Sequence, residues 1–340
     1  MEKIRVTNFT NPQEFLDAVK SHDDSFMNFA IGSLLDSLDE ASARARMLTT
    51  NHRTLICVHK GKKLLVTFTK IADGSPWVIS TPGSVGEHLS SADVEDSISL
   101  LASFLPTVLD PKLMDHVIGP DNLVDAFIET WVSHMNTQGF SSKALDPIFR
   151  MKVSFATLAT LPPPSPAFSN FIIRQAHTPE EADVVAPLAV DLASHGPNIT
   201  TLEGAKRTLR VAIVMKQLWL CRVDGEIAGY CLIGRNTPRT IAVRNVYVSP
   251  THRRKGIAEA MVRAVTRYYL GAKPLGFEGA SSTCPHGGVK EEVSLNVAKE
   301  EVTRLYQRCG FLLSEGAREP STGKKGWYHS VLRGVEYSEH

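Results

Sequence analysis

The segment from Arg244 to Tyr268 constrains this chain most. Arg244-Asn-Val-Tyr-Val248 alternates like a strand, with β-branched and aromatic side chains. Ser249-Pro250 ends it, because proline has no N–H for a ladder. From Ile257 the period changes: Ile257, Ala260/Met261, Ala264/Val265 and Tyr268 recur at helical spacing, with Arg263 and Arg267 off that stripe. Strand, short basic loop and helix therefore follow one another directly.

That arrangement suits an anion. The first N–H groups of a helix have no intrahelical partner, and the helix dipole favours negative charge there. Gly256 lets backbone approach a ligand closely, and Arg253, Arg254 and Lys255 concentrate positive charge at the same place. A diphosphate is the natural guest. The glycine spacing fits neither a nucleotide P-loop nor a dinucleotide-binding turn.

Arg253-x-x-Gly256-x-Ala258, after a strand ending in Val-Ser-Pro, resembles the coenzyme A diphosphate loop of the GNAT superfamily of acyl-CoA N-acyltransferases. The resemblance covers about residues 172–333. It includes a hairpin turning at Asp224-Gly225 and the run Leu305-Tyr306-x-x-x-Gly310-Phe311. It implies an α/β (α+β) chain with a GNAT fold, a mixed, mostly antiparallel central sheet flanked by helices. It also implies acetyl-CoA as acyl-donor cosubstrate. Main-chain groups of Val246, Tyr247 and Val248 would hold the pantetheine arm. The backbone of Arg254, Lys255, Gly256, Ile257, Ala258 and Glu259 would hold the diphosphate, helped by Arg253. Tyr306 falls where the family places a phenol near the coenzyme sulfur, and an ordinary phenol stays protonated at neutral pH.

Two positions depart from the family pattern. Lys299 stands where many relatives carry an asparagine, which leaves Asn296 as the candidate for that contact. Arg244 and Asn245 stand where many carry a catalytic glutamate, so the general base is open among His195, Glu203 and His286. Cys284-x-His286 is too short for a zinc site and has no second ligand pair, so no metal is expected.

The 340 residues allow two domains. A net charge of +1 gives no overall drive toward nucleic acid or anionic membrane. Five cysteines, an odd number at low density, together with no leader-like apolar run at the start, fit a cytoplasmic protein. Apolar runs are too short to span a bilayer.

Residues 1–160 read as a first lobe, 161–170 as a proline-rich connector and 171–340 as the GNAT domain. In the first lobe, Asn11 opens a helix, Phe26–Leu38 and Ala41–Leu48 carry helical stripes, and Thr54–Thr69 is a hairpin turning at Gly61. Trp77–Ser80 is a strand, and Val94–Leu105 and Leu123–Met135 are helical. In the second, Thr178 and Thr201 cap helices, Glu292–Val297 is a strand, Ser281–Gly288 is a long loop and Gly310-Phe311 begins the last strand. The lobes share a layout. Trp77-Val-Ile-Ser-Thr-Pro82 parallels Val246-Tyr-Val-Ser-Pro250, and Gly139-Phe140 parallels Gly310-Phe311. This suggests two GNAT-like lobes, the first degenerate because Gly83-Ser-Val-Gly-Glu-His88 lacks the basic residues; an unrelated capping domain is the alternative.

The expected activity is acetyl transfer to an amine by direct attack in a ternary complex. The absence of a legible acidic funnel favours a small-molecule acceptor over a protein lysine or N-terminus. A non-catalytic acyl-CoA-binding module and a longer-chain or O-acyl transferase are the competing readings.

Overall fold

The computed structural model describes residues 2–39, 53–168, 171–196, 199–275 and 284–338. The helix expected over Ala41–Leu48 and the start of the Ser281–Gly288 loop lie outside them.

The first half runs β1 (Ile4–Asn8), α1 (Pro12–Val19), α2 (Asn28–Leu38), β2 (Thr54–Lys60), β3 (Lys63–Lys70), β4 (Trp77–Ser80), α3 (Gly83–Gly86), α4 (Ser91–Phe104), β5 (His116–Pro120), α5 (Asp121–Thr137), β6 (Ser142–Ala144) and β7 (Phe149–Ala156). The second runs β8 (Ile172–Gln175), α6 (Pro179–Ser194), α7 (Leu202–Val214), β9 (Leu218–Val223), β10 (Glu226–Gly234), β11 (Thr240–Val248), α8 (Ile257–Tyr269), β12 (Glu292–Val297), α9 (Thr303–Arg308) and β13 (Trp327–Tyr337).

Local chemistry sets many boundaries. The Asn11 side chain accepts the Gln13 N–H at the start of α1, and Thr178 and Glu181 form a reciprocal capping box on α6. Asp224 and Gly225 both adopt positive φ, the backbone that a two-residue hairpin between β9 and β10 requires.

The strands join in one sheet, ordered β1-β2-β3-β4-β5-β13-β7-β12-β11-β10-β9-β8, with β6 against β13. Every pairing is antiparallel except two: β4 with β5, and β11 with β12. Each half thus repeats one pattern, an antiparallel run ending in a parallel pair joined through a helix. This is the mixed, mostly antiparallel sheet and the two-lobed layout that the sequence suggested.

The last strand differs from expectation. Phe311–Leu313 is irregular, and the final strand, Trp327–Tyr337, lies against β5 of the first half. In return β7 pairs with β12 of the second half, and β7 and β13 pair with each other. The lobes exchange their closing strands. The α1–α2 loop adds a polar seam. Asp23 accepts from Thr237 Oγ1 at 2.7 Å, and Asn28 Nδ2 donates to the Arg235 carbonyl at 2.7 Å.

Two apolar cores flank this junction. In the first half Phe68 and Trp77 of the sheet are fully buried against Phe127 and Trp131 of α5. In the second, the stripe predicted for α8 is wholly buried against β9–β12, with Trp219 edge-on to Tyr268 at 5.0 Å. The proline-rich connector packs on that core: the Pro162 carbonyl accepts from Arg267, and Phe168 lies under Arg263.

Candidate active site

β11 and β12 pair from Thr240↔Glu292 to Val243↔Leu295 and then part. A bulge begins the divergence: Ile233 of β10 faces Val243 and Leu232 faces Asn245, so Arg244 is the extra residue. Beyond it, 244–248 on one strand and 296–299 on the other form the walls of a cleft of about 980 Å³. Helices α6 and α7 close one side, and Tyr306 of α9 and Ala258 of α8 close the other.

The basic loop stands at one end of this cleft. Arg254 and Gly256 adopt left-handed φ of 63° and 81°, and none of the N–H groups of residues 254–259 donates to a described acceptor. The first helical bond of α8 is Ala260 N–H to Gly256 O, at 2.9 Å. A row of unpaired donors, a helix N-terminus and exposed Arg254 and Lys255 make a cradle for an anion. Glu259 adds only its backbone, because its carboxylate is held by Arg263 at 2.8 Å and Arg308 at 2.7 Å. Ile257 is buried in the core.

Arg253 is turned toward the cleft. Its guanidinium donates to Tyr247 Oη at 2.8 Å and to the Val248 carbonyl at 3.2 Å. Tyr247 in turn donates to the Asp191 carboxylate, whose other oxygen lies 3.7 Å from His195 Nε2. Burial first, and the Asp191 hydrogen bond second, push the Tyr247 phenol up. One chain of polar contacts therefore runs from the basic loop to the end of α6.

Tyr306 packs edge-on to Phe311, its ring centroid 6.1 Å away, and its hydroxyl has no partner among the described residues. Burial pushes its phenol up, which keeps the proton on it. The Cys309 thiol behind it is also raised by burial, to about 12, and is a buried structural group.

The cleft gathers Val246, Tyr247, Val248, Arg253, Ala258, Asn296 and Tyr306 of the residues singled out in the sequence. Of the three candidate bases, only His195 lines it. Glu203 sits out in solvent beside Lys206, and His286 lies by Asn236, away from the lining. Asp191, Tyr230 and Phe168 were not anticipated. The i, i+4 spacing of Asp191 and His195 was the one available signal. Among the described residues no cluster of His, Cys, Asp and Glu could hold a metal, and no helix is long and apolar enough to cross a membrane.

Residues 215–312 match the family model for the acetyltransferase (GNAT) domain. The second half of the chain thus carries a GNAT domain. This family transfers acyl groups from acyl-CoA. No curated protein sequence matches the chain. Among solved structures it is similar to a GCN5-related N-acetyltransferase from Sphaerobacter thermophilus, at 16% identity and TM-score 0.47, covering 98% of this chain and 95% of that one. It is also similar to a tandem GNAT protein from the clavulanic acid biosynthesis pathway, at 12% identity and TM-score 0.45, covering 99% of each. A GNAT-family acetyltransferase from Colwellia psychrerythraea aligns at 10% identity and TM-score 0.44, over 97% of this chain and 99% of that one.

Proposed function

We propose that this chain moves an acetyl group from coenzyme A to the amine of a small molecule, by direct attack with both substrates bound. The observation that carries this reading is the run of unpartnered N–H groups at residues 254–259, opening onto a cleft between two parted parallel strands. The diphosphate would lie on those N–H groups, and the pantetheine arm along Val246–Val248, which line the cleft. Asn296 stands on the opposite wall as a second polar contact to that arm. Acetyl-CoA supplies the activated thioester.

The residues around it supply binding, orientation and a proton. Arg254 and Lys255 offset the diphosphate charge from outside the cradle. Arg253 lies within reach of the same end of the cleft, where it now holds Tyr247. Tyr306 holds its proton at Oη with no competing acceptor, ready for a departing sulfur.

Calorimetric titration with acetyl-CoA, coenzyme A and a longer acyl-CoA tests the site. Micromolar affinity, about −8 kcal/mol, lost in Gly256→Glu, is the expected result. No binding to any of the three would overturn the reading, and binding without thiol release toward any amine would reduce the chain to a coenzyme-binding module.

A further inference from the structure

Resting on that reading, we propose that the acceptor is a primary amine carried on an apolar body, and that His195, backed by Asp191, takes its proton. The argument begins with what the cleft lacks. Among the described residues no aspartate or glutamate lines it. The phenols of Tyr230, Tyr247 and Tyr306 are all pushed up by burial and hold their protons. Arg244, Arg253 and Lys299 are cations and cannot accept one. A neutral imidazole carries one ring nitrogen that accepts a proton, and His195 is the only imidazole on the lining among the described residues.

Its setting suits the task. His195 follows the last residue of α6, half-exposed at the cleft, with Nε2 toward Asp191 one helical turn earlier. With Nε2 on the carboxylate side, Nδ1 is the ring nitrogen left to accept a proton. Tyr247, itself held by Arg253, fixes the carboxylate from behind. Asp191 is thus a positioning residue.

The acceptor's chemistry follows from the wall beside His195. Leu192, Ala193, Ala205, Leu209 and Leu232 form it, and Ile199, next to the lining residue Thr200, is 86% exposed. An apolar wall without carboxylates leaves the further charges of a polycation or a lysine-rich peptide unpaired, and would bury the aryl or alkyl group behind a single amine. The acceptor arrives as an ammonium; Nδ1 of His195 takes one proton, and the freed lone pair forms the C–N bond as the C–S bond breaks. The surplus proton left on nitrogen passes to solvent and the departing sulfur takes one from Oη of Tyr306, so ammonium and thioester become amide, thiol and one released proton. Solvent restores both side chains.

The test uses two probes of nearly equal shape, 2-phenylethylamine and its β,β-difluoro analogue, which is far less basic. Acetyl-CoA binding is measured separately by calorimetry. The full chain should acetylate both. His195→Gln should slow phenylethylamine about 100-fold, slow the less basic analogue far less, and leave acetyl-CoA binding unchanged. Asp191→Asn should lower kcat in the same order without raising the KM for acetyl-CoA. An undiminished rate in His195→Gln would overturn the base. Acetyl-CoA binding with neither amine acetylated would overturn the acceptor class. Failure to bind acetyl-CoA would instead overturn the coenzyme site, and this proposal with it.

Discussion

Phe168 of the proline-rich connector covers the face of the basic loop where Gly256 has no side chain: a Cβ added there would lie 3.2 Å from the Phe168 ring. The connector is therefore part of the floor of the loop proposed to hold the coenzyme diphosphate. Gly256 also sits at φ 81°, where a side chain costs about 1–2 kcal/mol. Gly256→Ala should weaken acetyl-CoA binding about tenfold, and adding Phe168→Ala should recover only the steric share. Calorimetry on the single and double variants checks this; unchanged affinity in Gly256→Ala would refute it.

Tyr306→Phe removes a hydroxyl with no hydrogen-bond partner among the described residues while keeping the ring against Phe311. Stability and acetyl-CoA affinity should hold. The acetylation rate, read as free thiol, should fall about 100-fold. A variant as fast as the parent would make Tyr306 a packing residue.

One acetyl-CoA should bind per chain. In the first half, the turn after β4 already holds an internal anion: the Gly83 N–H donates to Asp24 at 2.8 Å, and a Cβ on Gly83 would meet Asp24 Oδ2 and Lys324 Cδ at 2.9 Å each. Lys324 also pairs with Glu292, anchoring this plug to the second half. A calorimetric stoichiometry of two would contradict this account.

Acid should expose a second electrostatic element. Burial pushes the Glu181 carboxyl up, but hydrogen bonds from Arg174 and from the His177 and Thr178 N–H groups outweigh it and bring it from 4.5 down to about 2. A carboxylate depressed on folding adds stability above its unfolded pKa, and that stability is lost as pH falls through the folded one. Glu181→Gln should therefore melt below the parent at neutral pH, and the gap should close between about 4.5 and about 2. Thermal melts across that window decide it; a gap independent of pH would assign the loss to packing.

Much of this was legible because it is local. The β11–loop–α8 unit, the Asp224-Gly225 hairpin and the Thr178 cap are written in neighbouring residues, and so was Tyr306. The surroundings of the candidate bases were not. Asp191, beside His195, meets Tyr247 only because α6 packs over β10 and β11, and sequence spacing does not encode that crossing. β5, β7 and β13 were missed for the same reason. Phe149–Ala156 does alternate, with Phe149, Met151, Val153 and Phe155 set against Arg150, Lys152 and Ser154, but nothing local tells that its partners are β12 and β13; Trp327–Tyr337 mixes charged and apolar residues without a clean period. The Gly310-Phe311 pair marked a helix end correctly and a strand start wrongly, because Gly310 turns at φ 98° into an irregular segment.

The exchanged strands bear on how the molecule is made. During synthesis β5 emerges long before β13, the strand that must lie against it. A ribosome carrying only the first half thus presents β5 and β7 with the strand that belongs between them still untranslated. That open edge can pair with another nascent chain as readily as with its own missing segment. Final closure waits for residues 327–337, so a premature stop before Trp327 would leave unfinished the lobe encoded furthest upstream.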